Sequence, residues 1–168
     1  LSKQVAYVAF HPATVLLGTG FVEINGTGEV LRTYCYPART KKYLRQITRT
    51  GRFAPHSSCL YHKPTVQRLG GFNPRFRRSQ DADLWFRLSL AGDIAALSMP
   101  LVMIRKHETN ISNADSGKMQ ALFGLAARAC HWLRARGEPD PSSQNEKDWT
   151  RFIAWLEIRA EEERLFQR

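Results

Sequence analysis

One stretch constrains this chain more than any other: Gln80-Asp81-Ala82-Asp83-Leu84-Trp85-Phe86-Arg87-Leu88. Leu84 and Leu88 stand four apart and share one helix face. Asp83 and Arg87 make an acid-before-base pair at the i,i+4 spacing, the order that supports a helix. Asp81 and Trp85 repeat that spacing on a neighbouring face. A helix therefore begins here, with two carboxylates in its first turn. Acids at a helix start satisfy free N–H groups and meet the positive end of the helix dipole. The same placement can set a carboxylate at the rim of a pocket. Capping and catalysis are both open on these residues alone.

The rest of the chain sets bounds. Its 168 residues are 43% hydrophobic and 24% charged, a globular composition of one-domain length. No apolar run reaches membrane-spanning length. The opening Leu1-Ser2-Lys3-Gln4-Val5-Ala6-Tyr7 does not read as a signal peptide. It lacks an initiating Met, which suggests a piece of a longer chain. Cys35, Cys59 and Cys130 are odd in number and widely spaced, with neither a metal pattern nor a disulfide framework. They read as small core residues in a reducing, cytosolic setting. The net charge of +10 suits nucleic acid, anionic membrane or phosphorylated ligands alike. The basic clusters Arg39-Thr40-Lys41-Lys42 and Arg75-Phe76-Arg77-Arg78 line no unbroken helix face. Nucleic acid is therefore not the expected partner.

Read in order, 1–10 is helical and His11-Pro12 stops it. Thr14 to Ile24 is strand-like, Asn25-Gly26-Thr27-Gly28 signals a turn, and Glu29 to Tyr36 returns as a second strand. Pro37 to about Thr50 reads as a basic helix ended by Gly51. Pro55 to Tyr61 reads as a strand. Lys63-Pro64 opens a short helix, closed by the turn Leu69-Gly70-Gly71-Phe72. After the helix at Gln80, Ile94 to Ile104 reads as a strand interrupted by Pro100. Ser116 to Arg136 and Asn145 to Arg168 form a helical hairpin packed on the body. The fold class is α/β, with a sheet that looks incomplete.

Four segments in order carry a resemblance. They are His56-Ser57-Ser58-Cys59-Leu60-Tyr61; Leu69-Gly70-Gly71-Phe72-Asn73; Gln80 to Leu88; and Arg105-Lys106-His107-Glu108-Thr109-Asn110-Ile111-Ser112. Together they resemble the C-terminal, acceptor-side half of family 2 glycosyltransferases, whose fold is GT-A. The strand pair around Gly18 and Asn25-Gly26 fits too. The resemblance covers about two-thirds of the chain, and its motifs are specific only in combination. It implies a partial GT-A-type mixed sheet flanked by helices, with a C-terminal α-helical hairpin. Residues 1–112 would be the catalytic-domain half, and 113–168 a helical extension packed on it.

The resemblance also implies roles. Asp81 matches the general base that deprotonates an acceptor hydroxyl, which then attacks and inverts the anomeric carbon of a nucleotide-sugar. A sugar hydroxyl needs such a carboxylate within hydrogen-bond reach. Gln80, Asp83, Trp85, His56, Ser57, Arg105 and His107 become candidate substrate-binding residues. Trp85 equally suits core packing, and Asp83 with Arg87 suits a structural ion pair orienting the helix start better than a reacting pair. His107 matches a position near the diphosphate and is the candidate metal ligand; Arg105 suits phosphate. A divalent metal, Mg²⁺ or Mn²⁺, belongs to the intact family enzyme.

The family's Asp-x-Asp metal motif and donor-binding half have no counterpart here. Asp81-Ala82-Asp83 has the letters but lies at a helix start. Paired carboxylates of that kind can hold a divalent ion, so a metal reading competes with the base reading. The expectation is an inverting glycosyltransferase, or a fragment of one inactive by itself. It would serve polysaccharide or glycolipid assembly, in the cytoplasm or at the inner face of the membrane. Its partners would be a nucleotide-sugar donor and a saccharide or lipid-linked acceptor. An exposed sheet edge would favour self-association. The alternative is a non-catalytic basic binding or oligomerisation module derived from that fold.

Overall fold

A computed structural model describes residues 1–36, 43, 46, 47, 49, 53–107 and 116–163. Helix α1 (Ser2–Phe10) leads into strand β1 (Thr14–Ile24) and strand β2 (Val30–Tyr34). After strand β3 (Leu60–Tyr61) come helix α2 (Lys63–Arg68), helix α3 (Gln80–Ser89) and strand β4 (Asp93–Arg105). Helices α4 (Ser116–Ala135) and α5 (Glu146–Glu162) close the order. The predicted basic helix after Pro37 lies largely outside the described residues, as does the end of the Arg105 to Ser112 segment. Tyr43, Gln46, Ile47 and Arg49 within it are helical. No helix among the described residues is long and apolar enough to cross a membrane.

β1 is the centre of a mixed four-stranded sheet. β4 runs parallel to it from Thr14↔Asp93 to Ile24↔Arg105. β2 and β3 share its other edge, both antiparallel. A strand flanked on both edges and covered on both faces should be apolar nearly throughout. Seven consecutive residues of β1, Thr14 to Gly20, are accordingly buried. The predicted hairpin forms, with Phe21 stacked on Tyr34 at 4.4 Å across the pair. Asn25 folds its turn, accepting the N–H groups of Thr27 and Glu29 on its side-chain oxygen.

Two expectations need correction. Pro100 does not interrupt the last strand: β4 continues from Asp93 to Arg105. It absorbs the proline where the register jumps from Thr19↔Leu97 to Gly20↔Pro100. The missing N–H of Pro100 is thereby placed at an irregularity, where a ladder tolerates it. Pro55 to Tyr61 is not one strand either. His56–Ser58 is a 3₁₀ turn. The Ser58 hydroxyl and N–H both bond the Pro55 carbonyl, and the chain turns before it can pair. Only Leu60 and Tyr61 reach β1.

The core lies between the sheet and helices α3, α4 and α5. Leu84, Phe86 and Leu88 of α3 are at most 1% exposed and meet Leu16, Ile94, Phe123, Ala126, Ala127, Cys130 and Trp149 in one cluster. Each large side chain sealed this way contributes about 1.5–3 kcal/mol. The C-terminal helices therefore share the core of the sheet. Cys130 is the core residue expected of it; Cys35 is exposed.

Gly70 and Gly71 both have positive φ, 81° and 71°, a conformation that glycine adopts without a Cβ penalty. They turn the chain so that the carbonyls of Leu69 and Gly71 point at Arg87. Its guanidinium bonds both, at 2.8 Å each, and also pairs with Asp83 at 2.7 Å. The glycine turn and the acidic helix start are thus one hydrogen-bonded unit.

Candidate active-site cleft

The first turn of α3 opens onto a cleft of about 780 Å³. One wall is aromatic and comes from Phe21, Tyr36, Phe53 and Trp85. Tyr36, Tyr43, Phe53 and Trp85 meet in successive ring contacts, with Phe53 and Trp85 edge to face at 5.9 Å. The opposite wall is α4, where Gly117, Ala121 and Gly124 leave room and Gln120 and Arg128 supply polar groups. Gly18 of β1 lets the aromatic wall approach: a Cβ there would stand 2.6 Å from that of Ala54 and 2.8 Å from the Phe53 ring.

Ser79 sets the entry angle of α3. It has φ 52° and ψ 30°, the one non-glycine with positive φ among the described residues. Such a backbone costs about 1–3 kcal/mol and persists only where its surroundings enforce it. Here the Ser79 hydroxyl donates to the Gln120 carbonyl at 2.9 Å, and its own carbonyl accepts the Asp83 N–H at 3.3 Å. Ser79 thereby fixes α3 to α4 at the cleft and presents Asp81 to it.

Asp81 lines the cleft, half-buried, and its Oδ1 accepts the Ala82 N–H at 2.8 Å. It is the one carboxylate among the described lining residues. Trp85, one turn later, also lines the cleft and is 5% exposed. Its Nε1–H donates to the Tyr61 hydroxyl at 3.0 Å. A Trp N–H only donates, so the Tyr61 proton is free for His56 Nδ1, 2.9 Å away. His56 and Ser57 are exposed and are not on the cleft lining.

The other hydroxyl and thiol groups here are held protonated. Burial pushes the Cys59 thiol up to about 12, and the Asp81 charge adds to that. Burial likewise pushes Tyr36 up to about 12 and raises Tyr61. These groups hold and orient; at neutral pH they do not accept a proton from substrate.

The structure places the remaining predicted residues elsewhere. Gln80 is exposed beside Asp81 and does not line the cleft. Asp83 is fully buried and faces away from it. Its Oδ2 takes Arg87, and its Oδ1 takes Arg134 at 3.0 Å. Arg134 also pairs with Asp140. Of the two readings of Asp83, the structure shows the ion pair, and Asp83 is not on the cleft lining. Arg105 lies exposed at the end of β4 and clasps the hairpin turn, donating to the carbonyls of Asn25 and Gly26 at 2.9 and 2.8 Å. His107 follows it, exposed. Neither lines the cleft.

The Asp81-Ala82-Asp83 pair does not suit a divalent ion. Asp81 and Asp83 are two apart on a helix and do not face each other. Both Asp83 oxygens are held by guanidinium groups. A cation there would meet two arginines. Among the described residues no group of three His, Cys, Asp or Glu side chains converges on one point.

Sequence reasoning did not single out Phe21, Tyr36, Phe53, Ser79, Gln120 or Arg128 as site residues. One signal was present for α4: Gly117, Ala121 and Gly124 are small residues at helical spacing, which hollow one face. No protein-family model matches this chain, and a search of curated proteins found no match.

Proposed function

We propose that the chain is the acceptor-side part of an inverting glycosyltransferase, with Asp81 as its general base. The observation that carries this reading is Asp81 itself: the sole carboxylate among the described cleft-lining residues, aimed by a strained Ser79. Strain of this kind collects at functional sites. The four motifs add the resemblance to family 2, and the mixed sheet around β1 is read as part of a GT-A sheet. In the proposed step, an acceptor hydroxyl lies against Trp85 and points at Asp81. Asp81 takes its proton as the oxygen attacks the anomeric carbon. The nucleoside diphosphate leaves from the opposite side with the bonding electron pair, and the configuration inverts. A positioned base of this kind contributes about 10²–10⁴-fold in rate.

The test is sugar transfer in a polypeptide that carries a donor-binding half. Asp81→Asn should lower the rate about 10²–10⁴-fold and leave the fold intact. Equal rates for wild type and Asp81→Asn would sink the assignment.

A further inference from the structure

Resting on that acceptor-side reading, we infer that the cleft takes a saccharide bearing an anionic group, a carboxylate or a phosphate, which Arg128 receives. Arg128 is the one cationic side chain among the described lining residues, as Asp81 is the one acid. Its place on the cleft and its lack of a carboxylate partner among the described residues set it apart from the arginines that tie the scaffold together. Arg87 is held by Asp83 and two backbone carbonyls, and Arg134 by Asp83, Asp140 and the Ser142 hydroxyl. Arg105 is clasped by the hairpin turn. Arg128 makes one long contact, to the Arg49 carbonyl at 3.4 Å, and among the described residues it pairs with no carboxylate. That contact lies beyond the usual N–H···O range. It brings a second arginine backbone to the same rim and no compensating charge.

A guanidinium fork suits a carboxylate or phosphate, which it can bind through two parallel hydrogen bonds. The net charge of +10 favours arrival of an anion. The two charges of the cleft also set the direction of binding. Gly124 lies beside Ser79, at 3.8 Å from a built Cβ to the Ser79 hydroxyl. Arg128 is one turn further, about 6 Å along α4, a span on the scale of one sugar ring. An anion next to Asp81 would be repelled. Held at Arg128, it leaves a neutral hydroxyl facing Asp81, with the ring against Trp85 and Phe53. The anionic group thus orients the acceptor.

Calorimetric titration of the chain with a neutral hexose, a hexuronic acid and a hexose 1-phosphate tests this. At least one anionic sugar should bind 10-fold or more tightly than the neutral one, and the stronger of the two identifies the group. Arg128→Gln should abolish that preference. Arg128→Lys should keep part of it, since charge survives and the fork does not. Circular dichroism of the two variants should match wild type, since Arg128 is exposed. Equal affinities for neutral and anionic sugars, a preference that survives Arg128→Gln, or no binding by any of the three would overturn the inference. The base assignment fails separately. Asp81→Asn should preserve the anion preference, so a normal transfer rate in that variant removes the base and leaves the anion site standing.

Discussion

Asp81 and Asp83 stand two residues apart in the same helical turn, and they belong to different worlds. Asp81 is half-buried, bonds one neighbouring N–H and opens onto a cleft. Asp83 is sealed, with both oxygens bound to arginines from α3 and α4. One carboxylate is left available for a ligand; the other is consumed in holding helices together. Identical side chains in one short motif thus divide site from scaffold, and what divides them is the face each one occupies.

The largest test of that division is on the scaffold side. Asp83→Ala leaves Arg87 and Arg134 buried without their shared partner. Removing one member of a buried ion network costs about 3–5 kcal/mol. Arg134 keeps Asp140, and Arg87 keeps two carbonyls, so about 3 kcal/mol is expected. Urea unfolding would show it as a lower midpoint at unchanged slope. A loss below about 1 kcal/mol would mean that the network is no stronger than a surface pair.

The cleft side has a rigid contact of its own at Gly18. Gly18→Val would drive side-chain atoms into Ala54 and Phe53, which approach within 3 Å of an added Cβ. Overpacking of this kind costs about 1–3 kcal/mol. The aromatic wall should shift as well, which near-UV circular dichroism of the Trp85 environment would report. A stable variant with an unchanged spectrum would show that the wall yields freely.

This contrast also marks how far the sequence could be read. Short-range signals were legible. Leu84 and Leu88 at helical spacing gave α3, the Asn25-Gly26 turn gave the hairpin, and Gly70-Gly71 gave a tight turn. Each depends on neighbours within a few residues. Which of two acids faces inward does not. Asp83 is fixed by Arg134, 51 residues away in the chain, and no local pattern announces that partner. For the same reason α4 read as an appended helix, although Ser79 bonds its Gln120 and its hollow face walls the cleft. The Pro55 to Tyr61 segment failed differently: its composition suits a strand, and the serine bonds to the Pro55 carbonyl override it.

A smaller effect lies between the two regions, at His131. It stacks on Phe86 at 4.7 Å and is 5% exposed. Burial lowers its affinity for a proton, and the nearby Arg134 charge lowers it further. Unfolded, the ring titrates near pH 6.5. Below that pH the unfolded chain binds a proton that the folded one refuses, so stability falls as the solution is acidified. The slope from this residue is at most about 1.4 kcal/mol per pH unit. It continues down to the folded-state value and is absent above pH 6.5. His131→Phe should flatten the wild-type stability curve in that window. Parallel curves for the two proteins would show that His131 takes up a proton as readily in the fold as in the unfolded chain.

The smallest expected effect is the most telling for the comparison. Asp81→Asn removes a charge from a helix start and weakens one bond to the Ala82 N–H, while an amide oxygen still accepts there. Helix-dipole interactions at partly exposed positions amount to about 0.3–1 kcal/mol. The unfolding midpoint should therefore move by less than about 1 kcal/mol, against the several-fold larger loss from Asp83→Ala. If Asp81→Asn instead destabilised as strongly as Asp83→Ala, the carboxylate would be structural. Its place in the cleft would then follow from capping, which the sequence alone had left open. A near-silent Asp81→Asn removes that explanation, because a carboxylate in a formed cleft that adds little to stability is free to serve a ligand.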